Sequence, residues 1–121
     1  MNRLAKALAT LALLLAAADA AHAHAFLDHA SPLVGSTVAT APREFLLWFT
    51  EKLEPAFSTV EVRNAQGVAV QSGKAQVDGN DATQLRVPLK ALPSGTYQVI
   101  WRVLSVDTHR TQGSFTFRVG P

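Results

Sequence analysis

From Tyr97 to Leu104 the chain alternates, with Tyr97, Val99, Trp101 and Val103 on one side and Gln98, Ile100, Arg102 and Leu104 on the other. Successive side chains of a strand leave opposite faces, so this period of two describes a β-strand with one strongly apolar face and one mixed face. Such a face is stable only under a second layer. The period returns at Phe45, Leu47 and Phe49, at Val60 and Val62, at Leu85, Val87 and Leu89, and at Phe115, Phe117 and Val119. Residues 26–30 and 68–70 add two shorter pieces, giving about seven strands. Turn signals separate them: Ser31-Pro32 through Gly35-Ser36, Asn64-Ala65-Gln66-Gly67, Asp78-Gly79-Asn80-Asp81 and Leu92-Pro93-Ser94-Gly95. Pro88 predicts an edge position or a strand end, and the polar stretch Ser105 to Gly113 is expected to interrupt the pattern before Ser114 resumes it. No helical period competes. The chain is expected to be all-β, an antiparallel Greek-key sandwich or small barrel.

The first residues stand apart from this pattern. Arg3 and Lys6 precede a run from Ala7 to Ala18 that is apolar apart from Thr10, and the small-residue pattern Ala21-x-Ala23 follows. That order is the mark of a secretory signal peptide, and the run is shorter than the roughly 20 residues needed to span a bilayer. We therefore expect a signal over residues 1–23, a single exported domain over 24–121, and a periplasmic location. Cleavage after Ala20 is also allowed by Ala18-x-Ala20. Losing Arg3, Lys6 and Asp19 leaves basic and acidic residues nearly balanced, so the sequence pI of about 9.4 overstates the basicity of the domain. Near-neutrality gives no argument for nucleic acid or anionic lipid.

The chain has no cysteine, and its one methionine is Met1. Thiolate and thioether chemistry is thereby excluded from the domain, and any metal must be held by nitrogen and oxygen. A cut after Ala23 would leave His24 at a new N-terminus, where its α-amine and imidazole Nδ1 can close a chelate ring. Of the common divalent ions, tetragonal Cu(II) suits such a donor pair best. Asp107 and His109 leave the end of the longest strand two residues apart, so in an extended segment both side chains project to the same side. The plainer reading of Asp-x-His is an aspartate that caps the loop and orients the histidine. Combined with His24, the pair completes a set of three nitrogens and one oxygen that holds Cu(II) well and Cu(I) poorly. Glu51 follows Phe49 at i+2, where the inward face runs out into solvent. His29 has no such company and is expected to be an exposed residue rather than a ligand. Trp48, Tyr97 and Trp101 are expected to pack in or against the sheets. Ser105, Thr108 and Thr111 lie near His109, but without a nucleophile elbow or oxyanion signature they name no catalytic residue.

These residues also carry a resemblance. The terminal His24, Ser31-Pro32, Phe49-Thr50-Glu51, Gly95-Thr96-Tyr97, the run Trp101-Arg102-Val103-Leu104-Ser105-Val106-Asp107-Thr108-His109 and the closing Gly113-Ser114-Phe115-Thr116-Phe117 resemble the CopC-like periplasmic copper-binding proteins of bacterial copper resistance and uptake. The resemblance covers the whole of 24–121 and implies a cupredoxin-like or immunoglobulin-like β architecture. It implies a non-enzymatic Cu(II) site with His24 as bidentate ligand, His109 as second imidazole, Asp107 as oxygen donor and Glu51 as a weak ligand or hydrogen-bond acceptor. It further implies transfer of the copper ion to or from an inner-membrane copper-transport protein of the CopD type, and a monomer is expected. Some members carry a Met-rich loop for Cu(I). Gln66 to Ala82 holds no methionine and no histidine, so that second site is expected to be absent. Two rival readings are a histidine-brace copper oxygenase, disfavoured because Asp107 as an equatorial oxygen would hold the oxidised ion, and a metal-free β-sandwich interaction module.

Overall fold

The computed structural model describes residues 25–121. The expected signal peptide over residues 1–23 and His24 lie outside the described residues. Eight strands follow in order: β1 (Leu27–Ser31), β2 (Thr37–Val38), β3 (Glu44–Phe49), β4 (Thr59–Arg63), β5 (Gln76–Val77), β6 (Gln84–Pro88), β7 (Gly95–Leu104) and β8 (Arg110–Val119), with a short 3-10 turn at Pro55–Phe57 between β3 and β4. They form two four-stranded sheets, β1-β3-β6-β5 and β2-β8-β7-β4. Crossing back and forth between the layers, the chain builds the expected sandwich. Every strand pair is antiparallel except β2 with β8, where Thr37 and Val38 run parallel to Arg118 and Val119, so the second sheet is mixed.

The alternating residues meet between the sheets. Phe45, Leu47, Val62, Leu85, Val87 and Val99 are fully buried, and Phe49, Val60, Tyr97, Val103, Phe117 and Val119 nearly so. Each large apolar side chain removed from water contributes about 1.5–3 kcal/mol, and in a chain without disulfides this burial carries the fold. Phe45 packs its ring against Phe117 at 5.0 Å, and Phe49 meets Trp101 edge-on at 5.2 Å. Phe115 is only partly buried against the core.

Two expectations are corrected here. Residues 68–70 form no strand; a hairpin closes at Arg63 and Ala69, fixed by Asn64 Oδ1, which accepts the Gln66 and Val68 N–H groups at 3.0 Å. Strand β8 begins at Arg110, four residues before Ser114, because its inward positions Thr111 and Gly113 pair with Val103 and Trp101 despite not being apolar. Trp48 packs against its sheet as expected, on the outer face and stacked on His29 at 4.3 Å. Pro88 ends β6, which runs between β3 and β5 rather than at an edge. The Tyr97 hydroxyl donates to the Pro93 carbonyl at 2.6 Å, the tyrosine corner that locks Greek-key crossings, and burial raises its pKa above the ordinary phenol value.

Candidate metal centre

At one end of the sandwich the β7–β8 connection folds as a turn. Ser105 N–H donates to the His109 carbonyl at 3.0 Å and Thr108 N–H to the Ser105 carbonyl at 2.9 Å. Thr108 takes a positive φ of 73°, a left-handed conformation that a β-branched residue adopts only where neighbouring bonds enforce it. The segment is therefore not extended, and the same-side argument for Asp107 and His109 does not apply to it. The turn brings them together nonetheless, with His109 Nδ1 3.9 Å from Asp107 Oδ1. That nitrogen is buried, although the imidazole as a whole is partly exposed.

Ser105 organises this pair. It is fully buried, its hydroxyl donates to Asp107 Oδ1, and its Oγ accepts the His109 N–H at 3.3 Å. The signal for it lay in the Ser-x-Asp-x-His spacing, read only as an aspartate capping the loop. The turn is in turn anchored to the chain after β3, where Val106 N–H donates to the Lys52 carbonyl at 3.0 Å and Leu53 bridges Ser105. Glu51 is half-buried in this same segment. It does not join Asp107 and His109 in one cluster: among the described residues no three His, Asp or Glu side chains come together in a metal-ligating arrangement.

The N-terminal end of the described chain is fastened to the same region. The Thr111 hydroxyl donates to the Ala25 carbonyl at 2.6 Å, and Phe26 exchanges hydrogen bonds with Thr50, its N–H donating to Thr50 Oγ1 and its carbonyl accepting the Thr50 N–H, each at 2.9 Å. Ala25 is fully buried. The residue to which His24 is bonded is thus fixed against Thr111, two positions from His109, by a contact spanning 86 residues of sequence. Thr50 and Thr111 were missed as positioning residues because nothing local marks them. His29 lies apart, its Nδ1 2.6 Å from Asp28 Oδ2 and its ring half exposed.

The family model of the CopC domain matches residues 27–120. The chain belongs to the CopC family. It is 39% identical over 98 residues to Protein YobA of Escherichia coli strain K12, covering 80% of this chain and 79% of that one. The crystal structure of CopC from Methylosinus trichosporium OB3b superposes with a TM-score of 0.76 at 34% identity, over 81% of this chain and 95% of that one. PcoC, described as a methionine-rich copper resistance protein from Escherichia coli, superposes with a TM-score of 0.68 at 33% identity, over 80% and 99%. This CopC-family chain keeps the sandwich and departs from PcoC in composition, since Met1 is its one methionine.

Proposed function

We propose that this CopC-family protein carries copper in the periplasm, holding one Cu(II) ion through the α-amine and Nδ1 of His24 at a mature N-terminus, an imidazole nitrogen of His109 and an oxygen of Asp107, with Glu51 as an outer hydrogen-bond acceptor or weak ligand. The observation that carries the reading is the Thr111–Ala25 tether, which holds the residue that follows His24 in sequence against Thr111, two positions from His109 in the turn it shares with Asp107. Three nitrogens and one oxygen suit tetragonal Cu(II), and the lack of sulfur in the domain disfavours Cu(I). This supports carriage of the oxidised ion rather than redox turnover, so no catalytic residue is assigned. The protein works as a monomer that exchanges copper with an inner-membrane transport protein of the CopD type.

Calorimetric titration of protein beginning at His24 is expected to give tight one-to-one Cu(II) binding at neutral pH, and absence of that stoichiometry would sink the reading. One extra residue ahead of His24 turns the amine into an amide and is expected to weaken binding sharply. Unchanged affinity in that variant would remove the terminus from the ligand set.

A further inference from the structure

Beside this centre, on the outer face of the β4–β7–β8 sheet, the 3-10 turn overhangs a cavity of about 370 Å³ lined by Phe57, Arg102, Val103, Arg110, Thr111 and Gln112. Arg102 lies opposite Gln112, and Arg110 opposite Leu104, which makes the two arginines diagonal neighbours on one face, about 7–8 Å apart at the backbone. Both are exposed. Neither forms an ion pair among the described residues. Glu61 is already gripped by Arg63 through Nε at 2.9 Å and Nη2 at 3.0 Å, the bond that chiefly lowers its pKa, with Arg102 adding a smaller share. No carboxylate lines the cavity. At its lip, Phe57 is 56% exposed, and exposed aromatics and arginines are the residue types that anchor protein interfaces.

We propose that this cavity receives an acidic segment of a protein partner, one carboxylate engaging the Arg102 and Arg110 guanidiniums while a neighbouring apolar side chain packs on Phe57. Charge complementarity names the occupant, since two guanidiniums that hold no ion pair among the described residues, around a concavity of side-chain size, form charge-assisted bonds with a carboxylate. A bilayer surface is a poorer match, because it recruits broad clusters of four or more basic residues. Thr111 lines the cavity and also holds Ala25, so a partner seated here lies against the end of the chain where His109 stands. The use of this docking in copper handover rests on the reading above. Binding of the acidic segment does not.

The test is titration of isotopically labelled protein by NMR with a short blocked peptide carrying Asp, Phe and Glu, against the same peptide with Asn and Gln, inorganic phosphate, and phosphatidylglycerol vesicles, each with and without Cu(II). The acidic peptide is expected to shift the amides of Phe57, Arg102, Arg110 and Gln112, to weaken as salt rises, and to bind about tenfold or more weakly to the Arg102→Gln/Arg110→Gln variant. Both arginines are exposed, and an unchanged spectrum elsewhere certifies that the variant is folded. Equal binding of the neutral peptide, equal shifts from phosphate or vesicles, or no shift at these residues would overturn the proposal. Because the titration is also run without Cu(II), a failure of copper binding leaves its outcome unaffected.

Discussion

Gly113 sits across from Trp101 in the β7–β8 ladder, and the indole lies over it so closely that an added Cβ would stand 2.5 Å from Trp101 Cζ2 and 2.8 Å from Cε2. The Gly113→Ala variant must displace a nearly buried ring that is packed edge-on against Phe49. A loss of about 1–3 kcal/mol is expected by urea denaturation, the usual cost of overpacking, and undiminished stability would contradict the close approach. Tyr97 offers a second measurement, as the one tyrosine of the chain. Replacing it with Phe deletes the bond to the Pro93 carbonyl, at an expected cost of about 0.5–1.5 kcal/mol. Burial raises the Tyr97 pKa in the folded state, so the folded state holds the proton more tightly than the unfolded chain does. That contribution is complete below the ordinary phenol value of about 10 and is lost as pH rises through the folded value. Native protein is therefore expected to lose stability more steeply above about pH 10 than Tyr97→Phe, and parallel curves would argue against a raised pKa.

Strand β8 shows how one element ties the fold to the site. Its first residues follow the turn that holds Asp107 and His109, and its second residue, Thr111, fastens Ala25. Thr111→Val keeps the shape and removes the donor, leaving a carbonyl of a buried residue unsatisfied. We expect a loss of about 1 kcal/mol in unfolding free energy together with weaker Cu(II) binding by calorimetry. Lost stability with unchanged copper affinity would separate the tether from the metal centre. The start of this strand was not legible, because alternation is visible only where inward positions are apolar and Thr111 and Gly113 are not. Strands β2 and β5 span two residues each, too short for any period to show. By contrast β3, β4, β6 and, from Tyr97 on, β7 were readable because their inward residues are large and apolar.

Across the whole molecule, near-neutral charge conceals an uneven distribution. The outer face of the β2-β8-β7-β4 sheet gathers Arg102, Arg110 and Arg118 with only the Arg63–Glu61 pair beside them, and a composition count cannot see it. Copper binding by the assembled molecule should release the proton of the terminal amine, whose ordinary pKa is about 7.7–8.0, so affinity is expected to fall as pH drops below that range. A flat affinity between pH values of about 8 and 6, measured with a competing chelator, would exclude the amine as a ligand. The period of two, the turn residues and the absence of sulfur were local properties, and they were enough to specify a β-sandwich and to leave only nitrogen and oxygen donors in residues 24–121. The Asp-x-His spacing also named two residues that lie near each other, though through a turn rather than the extended geometry it assumed. What brought Ala25 to Thr111 and Leu53 to Ser105 was pairing between segments distant in the sequence. Those contacts depend on register and on which sheet each strand joins, and no window of neighbouring residues contains that information.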